Sequence, residues 1–431
     1  MSAVTAVGAP GDAPRLAGVR VGALRGVRLP GGALGDVLTA GGHVVDGTST
    51  VEGLSLDGRG WRVLPAACEP HAHLDKALTA PRIDPGAGND LPAAIQQWRA
   101  MLPGIDAADI GVRALAAVER YLARGITVIR SHVDVPVDGD RFRGVDALIA
   151  LRERLRGTVD LQVCVLAGSE ADEGVVAEAV ARGVDVIGGC PHLAPDPHHE
   201  ITRMLDVAER HGLPVDLHAD EQTDVEVPDA AFDLVEMARQ VLARGFAPQV
   251  TASHCVRLGM LSPERLDPVL ELAAEAGIGI VTLPITNLYL QGRGLPGVPR
   301  GLAPLREILR AGIPLAAGAD NLRDPFNPAG RADPFETTSL LMTAGHLRAE
   351  EALHAVTGGA RTVLGVEPAG ILPGERADLV LVPDVEPGDV LAGAVDARIV
   401  LSGGRVVADT RSAQALDLPL ARTPARIEVT A

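Results

Sequence analysis

Two histidines, His71 and His73, stand one residue apart in EPHAHLDK (69–76), at the end of an apolar run. Residues two apart on an extended segment face the same side, so both imidazoles can point at one ion. Polar residues close other apolar runs in the same way: His132 and Asp134 in RSHVDV, His218, Asp220 and Glu221 in VDLHADE, His254 in VTASHC, and Asp320 and Asn321 in GADN. Imidazole and carboxylate suit Zn2+ or Fe2+ without any thiolate. A single histidine in such a place is usually a hydrogen-bonded core residue. Five of the twelve histidines so placed, joined by an aspartate, point instead to a metal centre. The other seven (His43, His192, His198, His199, His211, His346 and His354) lack that placement and read as surface or structural residues.

These side chains need elements that bring them together. The runs that carry or precede them are WRVLPAACEP, GITVIRSHVDV, VDLQVCVLAG, VDVIGGCPH, LPVDLHADE, PQVTASHC, IGIVTLPIT and IPLAAGADN. Between them lie amphipathic stretches such as GVRALAAVERYLARG and PERLDPVLELAAEAG, with apolar residues three or four apart and glycine at the C-cap. Alternating strand and helix implies a parallel sheet. Eight units imply an α/β fold of the (β/α)8 barrel type, whose chemistry sits at the C-terminal ends of the strands. Both ends of the chain have another rhythm, with short strands broken by glycine in VRVGAL, GDVLTAGGHVV and VEGLSLDGRGW, and again in ADLVLVPD, ARIVLSGGRVVADT and ARIEVTA. The economical arrangement is a small composite β-sandwich from residues 1–64 and 361–431, with a metal-dependent barrel of 65–360 inserted. The first dozen residues, rich in Gly, Pro and Ala, read as a frayed tail.

Composition narrows the function classes. The net charge of −17 repels polyanions, so nucleic acids and anionic membranes are unsuitable partners and a small neutral or cationic molecule is favoured. The four cysteines form no C-x-x-C pair, which argues against a zinc knuckle and a disulfide framework. The start MSAVTAVGAPGDAPR has neither the basic nor the apolar region of a secretory signal, and no apolar stretch reaches about 18 residues. A cytoplasmic protein, assembled as a homo-oligomer, is the expectation. GRGLPG (292–297) satisfies G-x-G-x-x-G, but the VPRG that follows does not open a helix, so residues 291–300 read as a loop over the pocket mouth rather than a dinucleotide site. The H-x-E and P-C-x-x-C signature of zinc nucleoside deaminases is absent.

The chain resembles the amidohydrolase superfamily, and within it the cytosine deaminase-like and N-isopropylammelide amidohydrolase-like enzymes. The stretches that carry the resemblance are EPHAHLDKALT, RSHVDV, VDLHADE, VTASHC, LPITNLYLQGR and GADNLRDPFNPAG, in the family's order across about residues 65–335. The resemblance implies one divalent metal ion, Zn2+ or Fe2+, with His71, His73, His218 and Asp320 as its ligands. It implies Glu221, protonated in the working form, as the proton shuttle to the substrate ring, and His254 as the residue that positions the attacking hydroxide. Asp320 would also take up the water's proton. Other branches bridge a second metal with a carboxylated lysine on the fourth strand. The only lysine here is Lys76, after the first.

Lys76, His132, Gln291, Asn321 and Phe326 are the implied substrate contacts, and Lys76 could hold a substrate oxygen or carboxylate. Three positions depart from cytosine deaminases. Gly168 replaces a pyrimidine-reading glutamine, Asn321 replaces an aspartate, and Phe326 replaces a stacking tryptophan. The departures point to a ring other than cytosine, or to a substituted amine. The expected activity is hydrolytic removal of ammonia or an alkylamine from a small amino-substituted N-heterocycle such as a pyrimidine or triazine. The alternatives are cyclic-amide or N-acyl hydrolysis on the same scaffold, or a metal-binding homologue without catalysis.

Overall fold

A computed structural model describes residues 4–6, 15–49, 51, 53–84, 86, 88, 90–293 and 301–411. These residues form two compact units. One comprises the described residues within 67–121 and 128–366, and the other those within 1–66, 122–127 and 367–431.

The larger unit is the expected barrel. Its strands are β1 (Ala67–Ala72), β2 (Ile126–Val135), β3 (Asp160–Ala167), β4 (Val186–Gly189), β5 (Val215–Ala219), β6 (Val250–His254), β7 (Gly279–Thr282) and β8 (Leu315–Ala317). They lie side by side in chain order, and β2 through β8 pair in parallel register. A parallel bridge between Ala72 and Asp320 joins the first strand to the segment just past the last. The strands are buried on both faces, which is why they read as near-continuous apolar runs rather than alternating ones.

The helices follow the same logic. In Ala107–Ala123 the buried residues Ile110, Ala114, Ala117, Val118 and Tyr121 recur at three- and four-residue spacing. Helices Glu173–Arg182, Pro197–His211 and Asp233–Arg244 each stop at a glycine in the left-handed region, at Gly183, Gly212 and Gly245. One helix, Leu91–Met101, is additional to the repeat. Asp90 caps it by accepting from the Ala93 N–H, and it lies between β1 and β2.

The smaller unit holds a nine-stranded sheet built from both ends of the chain. Strand Trp61–Pro65 pairs antiparallel with Leu379–Pro383, and Leu24, Val27, Val63, Leu379, Leu381 and Leu401 are among its core residues. Val4–Ala6, within the stretch that reads as a frayed tail, forms a short strand parallel to Ser55–Asp57; the rest of that tail and ARIEVTA lie outside the described residues. So does most of the loop 291–300, of which Gln291–Arg293 are described. Among the described residues no helix is long and apolar enough to cross a membrane.

Candidate active site

The C-terminal ends of the barrel strands open into a cavity of about 880 Å3. His73, His218, His254, Glu221 and Asp320 line its inner end. Backbone strain clusters there: Asp220, His254, Cys255 and Asp320 all have positive φ, between 50° and 74°. Non-glycine residues adopt this conformation at a cost of order 1–3 kcal/mol, and such residues concentrate where function needs them.

The imidazoles of β1 and β5 converge. His71 Nε2 stands 3.1 Å from His218 Nε2, which stands 3.4 Å from His73 Nε2. Asp320 Oδ1 approaches His73 Nε2 at 3.3 Å and His71 Nε2 at 4.0 Å. Burial, aided by the other ring charges and, for His73, by Lys76, holds all three histidines well below the usual imidazole range. They are therefore neutral and offer lone pairs. Burial, then the Glu221, Asp324 and Glu69 carboxylates, pushes Asp320 well above the ordinary carboxyl range. Its Oδ1 has no hydrogen-bond donor among the described residues. Ligands at roughly 2.0–2.1 Å around a tetrahedral ion stand about 3.3 Å apart. Three crowded neutral nitrogens and one orphaned carboxylate oxygen at nearly that spacing fit a divalent metal ion.

His71, His132 and Asp216 form a second cluster of potential ligand atoms. A cation is disfavoured there, because the Arg130 guanidinium already sits on Asp216 at 2.8 Å. His132, expected as a substrate contact, is not among the residues that line the cavity; its ring stacks on His71, with centroids 3.9 Å apart, and its Nε2 stands 3.6 Å from Asp216.

Glu221 is flanked by two histidines. His192 Nε2 is 3.4 Å from its Oε2, and His254 Nδ1 is 3.8 Å from its Oε1. Burial raises the Glu221 pKa, but the two imidazoles outweigh it and hold the group below its ordinary value. The resting side chain is an ionised carboxylate, so the protonated working form expected of Glu221 requires it to take up a proton before it acts. His192 is likewise no surface residue: its side chain is buried, and its Nδ1 lies 3.2 Å from the His218 carbonyl oxygen. Asn287 Nδ2 sits 2.9 Å from His254 Nδ1. With that amide donating, the His254 proton is on Nε2, which has no partner among the described residues.

Lys76 is buried in the cavity wall and is not a solvated lysine. Its Nζ donates to Asp134 Oδ1 at 2.9 Å and lies 5.3 Å from the Trp98 ring centre and 5.6 Å from that of Phe326. Trp98 Nε1 donates to Asp134 Oδ2 at 2.6 Å. Burial works against the ammonium, but Asp134 and Asp75 prevail and keep Lys76 charged. Asn321 and Phe326 line the cavity, as does Gly168. Gln291 does not; it ends helix Pro284–Leu290, half-buried. Asp220 accepts from the Asp233 and Leu234 N–H groups at the start of a helix, and so has a structural task.

Several contributors carry no clear signal in the sequence. Trp98 is one, on the helix inserted after β1. Glu69 is another: its oxygens accept from the Ala319 and His71 N–H groups, tying β8 to β1. Burial pushes Glu69 up to about 8 despite those bonds. Gly318 makes room for it, since a Cβ there would stand 2.1 Å from Glu69 Oε1. A glycine in an apolar strand end is the one visible sign of this close approach.

Comparison with known proteins gives a consistent picture. The model of the Amidohydrolase family matches residues 105–408. The pterin deaminase of Rhizobium rhizogenes is 31% identical over 386 residues, covering 86% of this chain and 87% of the relative. The structure of 5-methylcytosine deaminase from Klebsiella pneumoniae liganded with 5-fluorocytosine superposes with a TM-score of 0.82 at 25% identity, covering 92% of this chain and 99% of that one. That of N-isopropylammelide isopropylaminohydrolase from Burkholderia multivorans gives 0.77 at 28% identity, covering 91% and 99%.

Proposed function

The chain belongs to the amidohydrolase family, hydrolytic enzymes acting on C–N bonds, and on that premise we propose that it is a deaminase releasing ammonia or an alkylamine from an amino-substituted N-heterocycle. One observation carries the proposal. A carboxylate able to move protons, Glu221, stands beside three neutral imidazoles and Asp320 at the inner end of a cavity with aromatic walls.

His71, His73, His218 and Asp320 would hold one divalent cation, Zn2+ or Fe2+, which when bound would supply Lewis acidity and lower the pKa of a water from about 15.7 towards about 7. The remaining steps belong to the protein. His254 presents its Nε2–H to the oxygen of the attacking water and holds it towards the ring carbon. The carboxylate oxygen of Asp320 that is not turned to the ligand position accepts a proton from that water. Glu221, ionised at rest, first takes up a proton and then delivers it to the ring nitrogen next to the attacked carbon. The C–N bond to the amine breaks after Asp320 returns its proton to the amine; the oxygen stays on the ring carbon as a carbonyl, and its remaining proton passes to Glu221, replacing the one given to the ring nitrogen. Proton transfer of this kind contributes about 10²–10⁴-fold.

The walls support one class of substrate. Lys76 can only donate, so it meets a substrate oxygen or a ring nitrogen lone pair. Phe326 and Trp98 offer planar faces to a ring. A cavity of about 880 Å3 exceeds what a single pyrimidine fills, and no glutamine stands at Gly168 to read one. A fused amino-heterocycle of the pteridine type, the substrate class that the name of the Rhizobium relative carries, suits the space better than cytosine. The test is a panel of aminopteridines, aminopyrimidines and aminotriazines offered to metal-loaded protein, with ammonia assay and mass spectrometry. Exchange of an amino group for oxygen on at least one ring is the expected result. Addition of a whole water without amine release would make the enzyme a cyclic-amide hydrolase and overturn the proposal.

A further inference from the structure

The His71 ring has two nitrogens, and only one faces the metal-binding cluster. Nε2 points at His218, while Nδ1 lies 3.0 Å from Ser253 Oγ on β6. Ser253 Oγ in turn donates to Asp216 Oδ1 on β5 at 2.7 Å. Asp216 Oδ2 accepts from Arg130 Nη1 on β2 at 2.8 Å, and Arg130 Nε donates to Gln162 Oε1 on β3 at 2.9 Å. His71, Ser253, Asp216 and Arg130 are all essentially inaccessible to solvent. Asp216 and His218 are two apart on one strand, as are Arg130 and His132 on another, so the alternation of side chains places this chain of groups in the same barrel interior as the site.

The direction of these hydrogen bonds is forced. A carboxylate beside a guanidinium only accepts, so the one Ser253 proton goes to Asp216. The serine oxygen is then left to accept, and the proton it accepts is the one on His71 Nδ1. We propose that Ser253 and Asp216, neutralised by Arg130, form a buried relay that fixes the His71 tautomer with its proton on Nδ1, keeping Nε2 bare for the metal ion. Without the serine, the proton is free to settle on Nε2, where it meets His218 and blocks the ligand position. His218 itself has no such support, its Nδ1 being unpartnered among the described residues. These are positioning residues and touch no substrate. The relay rests on His71 being a metal ligand, as under the proposed function.

The test uses the full-length protein, stripped and reloaded with Zn2+ in competition with a chromophoric chelator. Ser253→Ala and Asp216→Asn should each weaken Zn2+ affinity by about 10–100-fold, the usual cost of losing an outer partner of a metal-bound histidine. Ser253→Thr, which keeps the hydroxyl, should restore it. In the metal-free protein, nitrogen NMR of the histidine rings should show His71 as the Nδ1–H tautomer, shifted towards Nε2–H in Ser253→Ala. Zn2+ affinity of Ser253→Ala within threefold of the parent, or an Nε2–H tautomer in the parent, overturns the relay. Should Ser253→Ala not fold, Ser253→Thr and the tautomer of the parent still decide. A His71→Ala variant separates the two levels. Undiminished Zn2+ affinity there removes His71 as a ligand and the relay with it, whereas weakened affinity with an unaffected Ser253→Ala removes the relay alone.

Discussion

Replacing Glu221 by glutamine isolates proton transfer from everything else in the site. The amide keeps the shape of the carboxylate, and its atoms still face His192 and His254 at the 3.4 and 3.8 Å positions. It can neither take up nor release a proton. The loss is then the whole general acid–base contribution, about 10²–10⁴-fold in kcat, or roughly 3–5 kcal/mol on the barrier. Glu221 pairs with His192 and His254, whereas His71, His73, His218 and Asp320 approach one another. Metal content should therefore stay at the parent level. The assay is ammonia release coupled to a dehydrogenase, on a substrate found with the panel, with metal measured on the same sample by mass spectrometry. Because proton transfer acts only in the transition state, kcat and kcat/KM should fall together. A variant that retains its metal and turns over within tenfold of the parent would refute the role given to Glu221. A variant that loses its metal would place Glu221 among the ligands instead.

Three further outcomes follow from the geometry. His218→Ala removes the nitrogen that stands within 3.1–3.4 Å of both partners, so bound metal and rate should both drop, with Zn2+ affinity falling by more than the about 10–100-fold typical of an outer partner; full occupancy on metal analysis would contradict ligation. Trp98→Phe keeps an aromatic face but removes the 2.6 Å bond to Asp134, worth about 1.5–3 kcal/mol for a charged acceptor, and Lys76 loses its orientation; KM should rise about tenfold with kcat within threefold, and steady-state kinetics showing the reverse split would refute a binding role. Burial, against bonds from Asn321 and the Asn327 N–H, pushes Asp324 up to about 7. The folded state then binds the proton that the unfolded chain releases near pH 4, so this group lowers stability as pH rises from roughly 4 to 7, by at most about 4 kcal/mol in all. Asp324→Asn should flatten that part of the curve in urea titrations at pH 5 and pH 7.5, and an unchanged difference between the two pH values would show that Asp324 does not titrate this way.

The legible part of this protein is the part with period. Strand runs ending in histidine or aspartate mark β1, β2, β5, β6 and β8, and the alternation of side chains tells which residues of a run share a face. His71 and His218 can be placed on that basis by strand parity, and His73, one residue past the end of β1, still follows the same alternation. The rule lapses where the chain leaves the strand. β4 is four residues long and ends at Gly189, so His192 has no strand parity; the short turn Pro191–Leu193 carries it to Glu221. Gln291 is the opposite case, in the motif but beyond the end of its helix, where helical spacing no longer places it. Lys76 comes inward because the chain folds back after β1, the Ala77 N–H bonding to the His73 carbonyl at 3.0 Å.

Trp98 shows why the remainder was hidden. On helix Leu91–Met101, Leu91, Ile95 and Trp98 form a stripe with Leu102 just beyond, a spacing that any core-facing helix has. Sequence periodicity reports that a face is covered, never by what. Here the cover over Leu91, Ile95 and Leu102 is the cavity itself, and the indole N–H is spent on Asp134. The chain has only nine aromatic residues in 431, five Phe, two Trp and two Tyr; two of them, Trp98 and Phe326, flank the one lysine at the substrate end of the site. In so aromatic-poor a sequence, whose core is filled by Val, Leu, Ile and Ala, packing alone does not call for rings at both of those positions. Under the proposed function, a flat heterocycle held next to a fixed ammonium would call for them.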